Sequence, residues 1–317
     1  MGDVLVDDLR GQLAKGHVLV IAGAGVSAGA SGGAETASWT GLLRDGCERA
    51  ARVAAGLPPG WRETVRGQVD SGDLDWMLLA AEDMTRRLGG RKSGEYRRWL
   101  ADSVGRLRVA DPSLIDALAG LGVPLATTNY DSLVEQVTSL PPVTWRDGAR
   151  IQEVLRGDRR GVLHLHGYFD EPESVVLGIR SYEAALGDAA AQGLQRAVMS
   201  LRSVLFAGFG AGLADPNFGA LLDWVAGTFS GSGYRHFRLC TDGEVAGVRA
   251  QHRPEQRVAV ISYGARHEDL APFLRELRPG LVPDPGSAGR ADLPTEKPTR
   301  AGRTAAVTTA VPPPHTV

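Results

Sequence analysis

Two hydrophobic rhythms divide this chain. In one, apolar residues recur every third or fourth position, the spacing of a single helix face. In the other they form short unbroken runs rich in Val, Ile and Leu, as in strands covered on both sides of a parallel sheet. Val4–Lys15 carries Val6, Leu9 and Leu13 at helical spacing, and Gly16 stops it. His17–Ala22 (HVLVIA) is the first strand run, and it ends in the glycine turn Gly23-Ala24-Gly25-Val26-Ser27. From Ser38 to about Leu107 only the helical rhythm is present. Ser38 is placed to cap a helix carrying Trp39, Leu42 and Leu43, and Ser93 one carrying Tyr96, Leu100 and Leu107.

Beyond that stretch the rhythms alternate. Strands are expected at Val123–Thr127, Val162–His166, Val175–Leu177, Val204–Phe209, Phe237–Cys240 and Val258–Tyr263. Helices are expected at Ser132–Val137, Tyr182–Leu201, Pro216–Phe229, Glu244–His252 and Glu268–Leu277. Alternation of this kind predicts an α/β fold, a Rossmann-like doubly wound parallel sheet, here with a helical insertion or subdomain over residues 38–110. After Pro279 the composition turns to Pro, Ala, Thr, Gly and Arg. The expected organisation is one domain over residues 1–281 and a disordered tail or linker over 282–317.

Composition narrows the function classes. With 317 residues and 43% hydrophobic residues the chain is long and apolar enough to build its own core. A formal net charge of -2 gives no general attraction to nucleic acid or anionic lipid, so neither is expected as a partner. The two cysteines, Cys47 and Cys240, cannot supply a four-thiolate zinc site, and no zinc is expected. The amino terminus lacks the pattern of a signal peptide, and no apolar run approaches the ~20 residues that cross a bilayer. The expected location is the cytoplasm.

Four motifs sit where a strand run ends, the edge of an open α/β sheet that receives ligands. In the first, Gly23, Ala24, Gly25 and Ser27 form a turn whose glycines permit close backbone approach to a pyrophosphate. A tight turn with no ligand fits the same residues, and Ala28 breaks the full dinucleotide glycine spacing. In the second, Thr128, Asn129 and Asp131 follow an apolar strand, and Asn129 or Asp131 also suits a plain helix cap. In the third, Leu163-His164-Leu165-His166-Gly167, strand alternation puts both histidines on one face. His166, nearer the tip, suits a general base, since imidazole titrates near neutral pH, whereas His164 reads as structural. In the fourth, Gly208, Phe209 and Gly210 close another strand, and Asp215-Pro216 suits a helix start.

The order and spacing of these four motifs resemble the sirtuin-like superfamily, and within it the bacterial branch that hydrolyses NAD in anti-phage defence. The resemblance runs from about Val4 to Leu277. It implies that Gly23, Ala24, Gly25 and Ser27 form the phosphate-binding turn. It makes Asn129 the residue that holds the attacking oxygen or the ribose, Asp131 a contact to the nicotinamide carboxamide, and His166 the catalytic base. It puts Gly208, Phe209 and Gly210 in a second nucleotide-facing loop, with Tyr263 near the adenine. Thr128 stands where protein-deacylating members have Gln, and their cofactor loop after the first turn is missing. The implied activity is therefore NAD hydrolysis to nicotinamide and ADP-ribose, with NAD as substrate. A nucleotide sensor without turnover, and an NAD-dependent deacylase or ADP-ribosyltransferase, are the alternatives. Because uncontrolled NAD loss would kill a host cell, a homo-oligomer or a regulatory partner protein is expected.

Overall fold

Why the strand runs are apolar throughout is explained by their surroundings. A computed structural model describes residues 2–209, 216–228 and 234–278. Helix α1 (Gly2–Ala14) leads into strand β1 (Val18–Ala22), and the glycine turn opens directly into the short helix α2 (Ala24–Ala30). The all-helical stretch follows as α3 (Trp39–Val53), α4 (Trp61–Asp70), α5 (Leu74–Arg87) and α6 (Gly94–Asp102). Ser38 caps α3 by accepting the Gly41 N–H at 3.0 Å, and Ser93 caps α6 by accepting the Tyr96 N–H at 3.0 Å.

Helix α7 (Ser113–Ala119) precedes β2 (Leu125–Thr127), and α8 (Leu133–Thr138) leads to β3 (Pro142–Thr144). Next come α9 (Gly148–Arg156), β4 (Val162–His164), α10 (Ile179–Gly187), α11 (Ala189–Leu201) and β5 (Ser203–Ala207). Helix α12 (Pro216–Thr228), β6 (His236–Cys240), α13 (Val245–Ala250), β7 (Val258–Ser262) and α14 (Leu270–Glu276) complete the described residues.

Among the described residues the strands form one seven-stranded sheet in the order β3-β4-β2-β1-β5-β6-β7, parallel throughout. The chain builds outward from β1 on one side, then returns to build outward on the other. This is the doubly wound arrangement, and β1 lies at its switch point. Alternate residues of β1 enter opposite cores. Val18, Val20 and Ala22 pack with α1, the 39–102 helices and α14 on one face, while Leu19 and Ile21 pack with α9, α11 and α12 on the other. Both faces of β1 are covered, and all five of its residues are apolar.

Several expected elements differ in detail. Val175–Leu177 is not a strand. It is a buried segment whose Val176 N–H donates to the His166 carbonyl at 2.8 Å and whose Val176 carbonyl accepts the Tyr130 hydroxyl at 2.7 Å. An apolar run is buried here without joining the ladder. The expected strand Val162–His166 ends at His164, and Val204–Phe209 ends at Ala207. The run Tyr182–Leu201 is two helices, broken where Asp188 accepts the Ala191 N–H at 2.8 Å and caps the second. The α6 helix ends at Asp102, so Leu107 lies beyond it. Strand β3 was not expected; Pro142 is tolerated because β3 is an edge strand. Gly210, Asp215 and the 282–317 tail lie outside the described residues.

Candidate functional site

The strand order brings the tips of β1, β2, β4 and β5 side by side. At the β1 tip, Gly23 donates its N–H to the Ala207 carbonyl and Gly25 donates to the Gly208 carbonyl, each at 2.8 Å. This approach requires glycine. A Cβ on Gly23 or on Gly25 would meet the Gly208 oxygen at 2.8 Å, and Gly208 itself adopts φ +73, where a Cβ would meet Val26 N at 2.8 Å. The glycines therefore first of all let two strand tips touch, and the N–H groups of Gly23 and Gly25 are used in doing so.

A chain of hydrogen bonds links this turn to the β2 tip. The Thr127 hydroxyl donates to the Ala22 carbonyl at 3.0 Å and accepts the Asn129 N–H at 3.0 Å. The Asn129 side-chain amide donates to the Gly23 carbonyl at 2.9 Å and to Ser27 Oγ at 2.7 Å. Ser27 in turn donates to Asp131 Oδ2 at 2.7 Å, while Asp131 Oδ1 accepts the Leu133 N–H at 3.0 Å at the start of α8. An asparagine amide has two N–H donors and both are spent, so Asn129 offers a ligand only its carbonyl oxygen, an acceptor. Burial pushes the Asp131 carboxyl above its ordinary value, and the Leu133 amide, the Ser27 hydroxyl and His164 pull it the other way.

The two histidines of the third motif divide. His164 is buried, its Nδ1 3.0 Å from the Asn129 carbonyl and its Nε2 2.7 Å from Glu135 Oε1 on α8. His166 lies past the end of β4 with its ring edge-on to Tyr182 on α10, centroids 5.8 Å apart. Gly167, at φ +90, turns the chain there, and a Cβ would collide with the Ser174 backbone.

A cavity of about 1090 Å³ opens over these tips. Ala24, Gly25, Thr128, Asn129, Asp131, His166, Gly208, Phe209 and Tyr263 all line it. Gly23 and Ser27 do not. Ser27 is only 1% exposed and stands behind Asn129 and Asp131. Tyr263, whose hydroxyl is 3.1 Å from His267 Nδ1, lines the cavity, as do Glu244 and Arg275. Burial pushes the Tyr263 hydroxyl up to about 12.

Other lining residues carry no motif. Tyr182 meets His166, and Trp39, Leu42, Leu74 and Met77 form an apolar wall from the 39–102 helices. Nothing local distinguishes them in sequence from helix residues that face a core. Among the described residues no group of three or more His, Cys, Asp or Glu side chains is arranged to hold a metal ion. No described helix is long and apolar enough to cross a membrane.

The fold and cleft together define a class: a doubly wound parallel α/β protein with a large ligand-sized cavity at its switch point. Residues 124–262 match the family described as SIR2-like domain. The match begins at the residue before β2, ends with β7, and contains Asn129, Asp131, His166, Gly208 and Phe209. It supports a place in the sirtuin-like superfamily and fits an NAD-related function. The Gly23–Ser27 turn and Tyr263 lie outside the matched residues.

Proposed function

We propose that the chain cleaves NAD between nicotinamide and ribose, releasing nicotinamide and ADP-ribose. One observation carries this reading: Asn129, Asp131 and His166 line the same cavity as Gly25, Gly208, Phe209 and Tyr263. A dinucleotide needs a cavity of this kind, with glycine-rich strand tips and polar side chains on one lining. The side-chain carbonyl oxygen of Asn129 accepts a hydrogen bond from the attacking water or a ribose hydroxyl. As the C1′–nitrogen bond breaks, its electron pair returns to the nicotinamide ring and neutralises it, so no general acid is required. The water oxygen bonds to C1′ and its proton passes to His166. Asp131 receives the carboxamide N–H, and the walls keep bulk water from the oxocarbenium-like centre.

In this reading Gly23, Ala24, Gly25 and Ser27 shape the pyrophosphate turn, Thr128 lies beside the ribose and Tyr263 beside the adenine. Residues 1–281 act as the catalytic domain and 282–317 as a tail. The chain works in the bacterial cytoplasm as an anti-phage effector, held in check by an oligomeric state or a partner protein. The test incubates wild type, Asn129→Ala and His166→Ala with NAD and separates the products by chromatography. Wild type releases nicotinamide and ADP-ribose. His166→Ala loses about 10²–10⁴ in rate, the usual worth of a general base, with circular dichroism unchanged. Intact NAD after long incubation with folded, activated protein defeats the reading.

A second reading draws on the apolar wall of Trp39, Leu42, Leu74 and Met77. A wall of that kind is what an acceptor chain would need, as in an NAD-dependent deacylase or ADP-ribosyltransferase. NAD consumption that depends on an added acyl-lysine peptide or protein acceptor selects it over hydrolysis.

A further inference from the structure

His164 takes no part in the steps above, yet both of its ring nitrogens face oxygen. Nδ1 lies 3.0 Å from the backbone carbonyl of Asn129, and Nε2 lies 2.7 Å from Glu135 Oε1. A carbonyl only accepts, so Nδ1 must carry a proton to make the first contact. The second contact then needs one more proton. Either Nε2 is protonated beside an ionised Glu135, or Glu135 is protonated and donates to a bare Nε2. Both arrangements have zero net charge. Glu135 Oε2 is buried and has no hydrogen-bond partner among the described residues, which makes an uncompensated carboxylate costly at this place.

We propose that His164 and Glu135 are a positioning pair: by sharing one proton they let His164 donate to the backbone carbonyl of Asn129 and so hold the Asn129 side chain toward the cavity. Removing the shared proton leaves a single imidazole proton for two acceptors. If it stays on Nδ1, a lone pair on Nε2 faces the carboxylate. If it moves to Nε2, a lone pair on Nδ1 faces the Asn129 carbonyl and the loop loses its anchor. Asp131 in the loop after β2 and Tyr168 in the turn after β4, its ring 4.8 Å away edge-on, are ionisable groups beside His164.

This inference rests on the NAD-cleaving reading for its kinetic test and has a second readout that does not. Nicotinamide release by the full chain is followed for wild type, Glu135→Gln and His164→Leu, with ADP-ribose binding by calorimetry. A glutamine amide donates to Nε2 and leaves the imidazole proton on Nδ1, so Glu135→Gln keeps kcat near wild type. His164→Leu, which removes the donor to the Asn129 backbone carbonyl, loses kcat by about 10²-fold, the scale of a small misplacement of a reacting group, while KM and ADP-ribose affinity stay near wild type. A kcat lost in Glu135→Gln overturns the proposal, as does wild-type kcat or lost ADP-ribose binding in His164→Leu. Should wild type leave NAD intact, the functional reading fails by itself. Nitrogen-15 NMR of the histidine rings then decides the pair: a protonated Nδ1 on His164 upholds it, and a bare Nδ1 overturns it.

Discussion

Ser27 and Asp131, 104 positions apart in the chain, are joined by a buried hydrogen bond of 2.7 Å between hydroxyl and carboxylate. The same hydroxyl accepts from Asn129. One small side chain thus sets the orientation of two residues that line the cavity while staying out of the cavity itself.

Ser27→Ala should therefore leave one acceptor on Asp131 and one donor on Asn129 without a partner. Each buried group deprived in this way costs about 1–3 kcal/mol. Denaturant unfolding should show a loss in that range, and nicotinamide release should fall more than ADP-ribose affinity. A variant with wild-type stability and turnover would contradict the network.

Asn129→Asp is expected to be worse than Asn129→Ala. Both amide protons of Asn129 point at acceptors, the Gly23 carbonyl and Ser27 Oγ, and a carboxylate would oppose oxygen to oxygen in a buried site. Thermal unfolding of the two variants side by side gives the comparison, with Asn129→Asp melting lower near neutral pH.

Gly208→Ala and Gly25→Ala should both weaken the fold, for different reasons. Gly208 has φ +73, and a residue with a side chain forced into that region costs about 1–3 kcal/mol. Gly25 has no such backbone demand, but its Cβ would press on the Gly208 oxygen at 2.8 Å. Calorimetric melting checks stability, and titration with ADP-ribose checks whether the two tips still present one surface.

His236 should give the protein an acid-sensitive stability. It accepts the Val204 N–H on Nδ1 at 3.1 Å, and burial pulls its pKa from 6.5 down to about 4. A depressed pKa means the folded state resists protonation. Its contribution is complete above the unfolded value of 6.5 and is lost as pH falls toward about 4. A gap of that size corresponds to about 3 kcal/mol. Denaturant unfolding across this window should be steeper with pH for wild type than for His236→Gln, which keeps an acceptor for Val204 and has no proton to gain.

How much of this was legible in the sequence depends on whether the cause was local. His17–Ala22 reads as a central strand because both of its faces are buried, so the run is apolar without a break. Ser38 and Ser93 read as caps because capping chemistry spans only three residues. Val175–Leu177 misled because burial and ladder pairing leave the same apolar mark, and β3 was hidden by the prolines that an edge position tolerates. At the site, Asn129, Asp131 and His166 stood out because they close strand runs. The hydrogen bonds among Ser27, Asn129 and Asp131, the His164–Glu135 contact and the wall of Trp39 and Met77 arise only when distant segments meet. No spacing rule encodes those meetings.

The apolar wall has a further consequence. Because one side of the hollow is sheet edge and the other is helix, an occupant bridges parts of the chain that are far apart along the backbone. It then acts as a strut, and by mass action the free energy of occupancy adds directly to that of the folded state. A rise in melting temperature with ligand would thus report occupancy even in a protein whose turnover had been abolished.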